Sequence, residues 1–437
     1  MANGMSKISL FPGTAAVSES GHLAIGGCDC LALAKEFGTP LYVFDEASLR
    51  SKCAEFKGEF GQRYPDTTVL YACKAFVNKA LLLLLKEEGL GLDVVSGGEM
   101  GVARAAGFPM HRVYFHGNNK AAEELRQALD WQVGRVVVDN FQELEILDGI
   151  AGEHGCVADI LLRLTPGVDP HTHQYITTGT VDSKFGFTLS TWDDAVVRAM
   201  AAPGLNLVGL HFHLGSSIFE LEPYQQAIGV VLGFAARMKQ KHGFELQELN
   251  IGGGFALQYK MEQPAPPVSD YAEVIATLVT GECRKLGLAL PKLIIEPGRS
   301  MVGQSAVALY QVGAVKDIPD VRCYVCVDGG MGDNIRPALY GARQEAVVAN
   351  RMREMETAQV TIAGKYCESG DVLVRDISLP PVFAGDIIAV AGCGAYCLPM
   401  ASNYNASFKP AVVMVRDGKA RLIRRREALD DLTRCDL

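Results

Sequence analysis

Up to about residue 300 the chain repeats one pattern: a short run of β-branched and aromatic residues ends in polar residues or glycine, and helical apolar spacing follows. The runs are "VLYACKA" from 69, "GLDVVS" from 91, "RVYFHG" from 112, "RVVVDN" from 135, "DILLRLTPG" from 159, "NLVGLHFHLG" from 206, "ELNIGGG" from 248 and "KLIIEPGR" from 292. Segments such as "NKALLLLLKEEG", "GGEMGVARAAG", "KAAEELRQAL" and "NFQELEILDGIAGEHG" lie between them as helices, the early strands starting about 22 residues apart. Strands alternating with helices pair in parallel, and eight such units predict a closed TIM-like (β/α)8 barrel. An open doubly wound sheet is the alternative. "TPLYVFDEASLRSKCAEF" reads as an entering strand and helix ahead of the barrel.

Beyond residue 300 the texture changes. "CYVCVDGG", "AQVTIAGKYC", "DVLVRDISLP", "DIIAVAGCG" and "PAVVMVRDGKARLIRR" are short alternating runs divided by Gly, Pro and Asp, which predicts an all-β domain of sandwich or barrel type. The early "HLAIGG" has the same texture. The expected division is therefore a barrel over 41–302 and a β domain formed by 1–40 with 303–437.

Composition narrows the partners. With 41 basic and 50 acidic residues among 437, a net charge of −9 and no long like-charge blocks, a nucleic-acid partner is disfavoured and a small-molecule substrate fits better. No membrane partner is expected, because the longest leucine run, Leu81 to Leu85, is closed by Lys86, Glu87 and Glu88. The start "MANGMSKISLFPGT" lacks a basic region followed by an apolar core, which points to the cytoplasm. In that reducing setting the 12 cysteines read as buried small hydrophobes. Cys323 and Cys326 have C-x-x-C spacing, yet they sit in an alternating strand with no matching second pair, so no metal is expected.

In a barrel the chemistry gathers at the carboxyl ends of the strands. There the chain places Lys74, then His211 and His213 followed by Gly215 and Ser216, then Gly252, Gly253 and Gly254, then Glu296, Gly298 and Arg299. The two histidines share a strand face; a core role competes for His211 more than for His213, which adjoins the turn. A glycine triplet and a glycine–serine turn can offer backbone N–H groups and a hydroxyl to a phosphate, although a tight turn explains the triplet equally well. A lysine, a phosphate cradle, a flat imidazole and a buried carboxylate are what pyridoxal 5′-phosphate (PLP) needs: the amine forms the Schiff base, and the acid keeps the pyridine nitrogen protonated.

The motifs "YACKAF", "FHGNNK", "HTHQYITTGTVDSKFGF", "HFHLGSS", "NIGGGF", "EPGRS", "VDGGMGDNIRPALYGA", "YCESGD", "GAYCLPMASNYN" and "LIRRREALDDL", in that order from about residue 35 to the end, resemble the diaminopimelate decarboxylases. That family belongs to the fold type III, alanine racemase-like PLP enzymes, whose barrel plus β domain agrees with the pattern above. The resemblance implies Lys74 as the cofactor lysine and His213 as the imidazole stacked on the ring. It implies Ser216, Gly252 to Gly254, Gly298, Arg299 and Tyr396 as phosphate contacts, and Glu296 as the partner of the pyridine nitrogen. For the substrate it implies Arg299, Arg336 and Tyr340 at the distal carboxylate, with Tyr396 nearby, and Glu368 at the distal ammonium. A second amino-acid head needs just such a fork donor and acid. Cys367 matches the acid that reprotonates Cα, and in the family its loop serves the neighbouring subunit, so a homodimer with shared sites is implied.

The implied activity is decarboxylation of meso-2,6-diaminopimelate to L-lysine and CO2, the last step of lysine biosynthesis. A decarboxylase of another basic amino acid (carboxynorspermidine, ornithine or arginine) should lack the set Arg336, Tyr340, Cys367 and Glu368, and a non-catalytic regulatory homologue would have lost Lys74 or Cys367. One position departs from the family pattern: Ser217 stands where a glutamine is expected. Arg163, Asp93 and His173 are further polar positions that could support the site or serve only structure.

Overall fold

The computed structural model describes residues 3–169 and 183–437, so His173 lies outside the described residues. The chain forms two compact units, one of 53–256 with 265–298 and the other of 1–52, 257–264 and 299–437.

The first unit is a closed barrel of eight parallel strands: β1 (Thr67–Ala72), β2 (Gly91–Val94), β3 (Val113–Phe115), β4 (Arg135–Val138), β5 (Ala158–Arg163), β6 (Leu205–His211), β7 (Glu248–Asn250) and β8 (Lys292–Ile295). All eight runs read from the hydrophobic pattern are strands of it. β8 closes on β1, with Leu293 opposite Thr67 and Ile295 opposite Val69. Several strand ends hand over to a helix in the same way: Asn78, Ser96 and Asn140 are extended N-caps whose side chains accept from Leu81, Glu99 and Glu143 N–H. A short polar acceptor satisfies a helix-start donor and stops the strand in one residue.

Because side chains alternate across a strand, residues two apart stack in layers inside the barrel. Leu70, Tyr114, Val137, Leu161, Val208 and Ile294 form one buried apolar cluster. Two residues before several of these lie Arg135, Asp159 and Lys292; Arg135 bridges Asp159 (2.8 Å) and Glu248 (2.9 Å). Tyr114 Oη also donates to Glu248 (3.1 Å). Two residues after them lie His116, Asp139, Arg163 and Glu296. The barrel thus has a charged floor, an apolar middle and a polar mouth.

The second unit is mostly sheet. Nine strands form one mixed sheet, and three short strands, Ala16–Val17, Leu23–Ile25 and Cys28–Asp29, form another. Leu41–Asp45, expected to lead into the barrel, is instead a strand of the nine-stranded sheet. It pairs antiparallel with Ala306–Ile318 and parallel with Ala411–Arg416. All five of its residues are buried, as befits a strand with neighbours on both sides and both faces covered. Leu10, Phe11, Leu23 and Ile25 pack with Val307, Leu309 and Val413 in this unit's core.

Candidate active site

At the barrel mouth Lys74 lies just past β1 in a single 3-10 turn, Cys73–Ala75. Glu296 follows β8 and is buried, and three side chains converge on it. Asn250 Nδ2 donates to Oε1 (2.7 Å), His116 Nε2 stands 2.9 Å from the same oxygen, and His211 Nε2 stands 3.5 Å from Oε2. The two imidazoles meet edge to face with centroids 4.9 Å apart. Burial alone would raise the Glu296 carboxyl, but His116 and His211 outweigh it and hold the acid well below its ordinary range. Burial pulls His211 down to about 3, so that ring is neutral. Asp93, with Oδ1 3.8 Å from His116 Nε2, is pushed up by burial; His116 opposes this and the Glu296 charge adds to it. Of the two buried acids, Glu296 carries the charge and Asp93 favours keeping its proton.

The glycine turn after β7 is tighter than the sequence suggested. A Cβ on Gly252 would come within 2.7 Å of Phe212 O, one on Gly253 within 2.2 Å of Glu296 O, and one on Gly254 within 2.7 Å of Gly215 O. Only glycine fits, and two of the three N–H groups expected to face an anion are already committed. Gly252 N–H donates to Asn250 Oδ1 (2.9 Å) and Gly253 N–H to His213 Nδ1 (3.1 Å). The first bond aligns the amide that grips Glu296. The second makes Nδ1 of His213 an acceptor, and burial, with the charges of Lys74 and Arg163, keeps that imidazole neutral and far below its ordinary value. Among the described residues Gly254 N–H has no such internal acceptor, and its carbonyl takes Ile218 N–H (2.9 Å), tying this turn to the one that carries Gly215 and Ser216. Ser217 adopts a left-handed backbone (φ 61°) there. Gly298 is confined by Ala72, whose Cβ would be 3.0 Å from a Cβ at 298.

These residues fit pyridoxal phosphate: an amine at a strand end, an ionised acid held by buried donors, a neutral imidazole, and glycine turns that admit a ligand close to backbone.

Within the second unit another cluster forms around Tyr259, a residue the sequence reading missed. Arg299 Nη1 donates to Tyr259 Oη (3.2 Å), and its guanidinium lies 4.6 Å over the ring of Tyr396. Arg336, buried, lies 4.7 Å over the Tyr259 ring, and among the described residues its Nη1 has no hydrogen-bond partner. Cys393 and the nearby Arg336 charge outweigh burial to lower the Cys397 thiol. Tyr340 Oη contacts Met400 Sδ (3.6 Å). Cys367 is exposed, in a loop fixed where Asn405 Oδ1 accepts Cys367 N–H (3.0 Å) and Asp371 accepts Tyr366 N–H (2.8 Å). Glu368 is exposed beside it.

The pyridoxal-dependent decarboxylase, pyridoxal binding domain family matches residues 46–303. The diaminopimelate decarboxylase of Bacillus subtilis (strain 168) is 47% identical over 427 residues, covering 97% of each chain, and that of Mycobacterium tuberculosis (strain ATCC 25618 / H37Rv) is 43% identical over 436 residues, covering 97% of each. The chain belongs to the diaminopimelate decarboxylase family. Among solved structures, diaminopimelate decarboxylase from M. jannaschii in complex with L-lysine superposes with a TM-score of 0.91 at 34% identity, over 98% of both chains. As a diaminopimelate decarboxylase family member the protein is a PLP-dependent decarboxylase, and its barrel and mostly-sheet unit are the family's architecture. Among the described residues no helix is long and apolar enough to cross a membrane.

His116, Asn250 and Asp139 were also missed in the sequence. The signal was present in each case: each ends a barrel strand or directly follows one, two residues beyond an inward-facing residue.

Proposed function

We propose that this protein decarboxylates meso-2,6-diaminopimelate to L-lysine and CO2, as a homodimer in the cytoplasm. The observation that carries the substrate class is the pair of arginines on Tyr259. Arg336 is buried with a donor to spare, which suits a carboxylate remote from the reacting carbon and has no use in a decarboxylase of ornithine. The names of the close relatives, and the lysine bound in the M. jannaschii structure, support the same substrate and product.

When bound, PLP supplies the electron sink that lets the Cα–carboxylate bond break. The chain's residues do the rest. Lys74 would hold the cofactor through its amine at the end of β1. Glu296, ionised, would keep a proton on the pyridine nitrogen, and neutral His213 would lie against the ring. Ser216, Gly252, Gly253, Gly254, Gly298, Arg299 and Tyr396 would hold the cofactor's phosphate. In Gly252 and Gly253 the contribution is close approach, since their N–H groups are engaged.

For the substrate, Arg299, Arg336 and Tyr340 take the distal carboxylate, with Tyr396 beside them, and Glu368 the distal ammonium. Cys367 delivers the proton to Cα; a thiol can do so near neutrality where an alcohol could not. The exposure of Cys367 and Glu368 supports their service to a second subunit.

The test is direct. Holoenzyme incubated separately with meso-diaminopimelate, ornithine and arginine should release CO2 from the first alone and form L-lysine. Release from ornithine at a comparable rate would overturn the assignment.

A further inference from the structure

We propose that His116 is a positioning residue that, with Asn250, fixes Glu296 in one orientation as an ionised carboxylate, and that the buried Lys120–Glu143 pair holds His116 in place for this task. The inference rests on the reading of Glu296 as the partner of the pyridine nitrogen.

An isolated buried carboxyl takes up a proton, and a protonated Glu296 could not keep a proton on the ring. The acid must therefore be offered donors from the protein. Asn250 supplies one to Oε1 at 2.7 Å and His116 Nε2 approaches the same oxygen at 2.9 Å. The His116 approach is bent, so the ring makes no aligned hydrogen bond at that nitrogen among the described residues. A buried donor at this distance, needing only a small tilt, is a contact that tightens when the site fills. Both donors use Oε1; Oε2 is approached by His211 Nε2 at 3.5 Å, which leaves it acceptor capacity to spare among the described residues. His211 is the weaker donor: its Nε2 stands 3.5 Å from the acid against 2.9 Å for His116, and among the described residues neither of its ring nitrogens has a hydrogen-bond partner. Asp93, beside His116, feels the charges of Glu296, Lys74 and Arg163 in turn, and Arg163 also feels Glu296.

The backbone around His116 is built for placement. His116 N–H donates to Val94 O (2.8 Å), and Gly117 follows with φ 127°, a conformation that turns the chain sharply away. Lys120 then reaches back. Its Nζ donates to Gly117 O (2.8 Å), Val137 O (2.8 Å) and Glu143 Oε1 (2.6 Å), while Glu143 Oε2 accepts Asp139 N–H (3.2 Å). Two buried charges thus lock the turn after β3 to the end of β4. Neither lies among the groups converging on Glu296, so their service to the site runs through the backbone beside His116.

The experiment reads the ring nitrogen itself. Holoenzyme loaded with PLP carrying 15N in the ring is examined by NMR between pH 6 and 9, for the wild type, His116→Phe, His116→Gln and Glu296→Gln. The wild type should give a protonated nitrogen throughout. His116→Phe, of similar shape without a donor, should shift the signal towards the unprotonated position within this range and lower kcat about tenfold to hundredfold, the effect of one hydrogen bond to a charged group. His116→Gln, whose amide mimics Nε2, should restore both. A protonated signal and full kcat in His116→Phe would overturn the proposal. If that variant does not fold, His116→Asn, which falls short of Oε1, is read against the same two outcomes. A Glu296→Gln protein that kept the protonated signal would instead overturn the reading of Glu296. Neither result depends on which amino acid is decarboxylated.

Discussion

The two ends of the barrel use charge in opposite ways. At the floor, Arg135, Asp159, Glu248 and Tyr114 satisfy one another: one arginine bridges two acids, and the tyrosine hydroxyl completes the second. At the mouth, one acid draws three side chains, and among the described residues His211, Asp93 Oδ1 and Asp139 Oδ1 have no hydrogen-bond partner. Both ends are carried by the same eight strands, two residues either side of the same apolar layer. A closed network stabilises, whereas an incompletely satisfied one is held in readiness for a ligand, and conservation of charge alone would not tell them apart.

That contrast can be broken or sharpened by variants. Lys74→Ala should lose essentially all activity while keeping the wild-type unfolding transition; retained turnover with added PLP would remove the mouth's claim to chemistry. Glu296→Gln should fold normally and lose about a hundredfold in kcat, the scale of removing one electrostatic partner of a reacting system, as steady-state assays of the loaded protein can check. Arg135→Met should behave in the reverse sense. It leaves the buried Glu248 to Tyr114 and, at 3.9 Å, Lys292, and should cost about 3 kcal/mol in urea unfolding, with kcat per folded, PLP-loaded subunit unchanged.

The most gradual effect, spread over several pH units, concerns acid stability. Glu296 lies below its ordinary 4.5 when folded, so its contribution is present above that value and is lost as the pH falls through the folded one. His211 takes a proton near 6.5 when unfolded but only near 3 when folded. Between those values the unfolded chain holds the extra proton, and stability drops as pH falls, by up to about 1.4 kcal/mol per unit. Denaturant titrations from pH 6.5 to 3 should show His211→Asn flattening this limb and Arg135→Met leaving its slope intact.

The barrel was legible because its signal is local and repeated. Each strand is a short apolar run that ends in polar residues or glycine, and three exits carry a side-chain helix cap, so Lys74, His213, the glycines and Glu296 could be located by counting to the strand ends. His116 and Asn250 were less legible, since a histidine or asparagine at a strand end has many uses and their value lies in what Glu296 needs across the barrel. Leu41–Asp45 was misplaced for a related reason. Five buried residues before a helix look the same whether the strand enters a barrel or sits within a sheet, and its partners, Ala306–Ile318 and Ala411–Arg416, lie hundreds of residues away. Tyr259 carried no motif at all; its meaning comes from two arginines 40 and 77 residues further on.

The Gly252–Gly254 turn has a consequence for the protein's history. Three consecutive positions each have a backbone oxygen within 2.7 Å of where any side chain would begin, and the turn sets the tilt of His213 and the amide of Asn250. A substitution there disturbs the groups around ring and acid together, so a random mutant library should return these three sites blank. Lineages drifting in sequence would carry the triplet unchanged while the helices around it were rewritten.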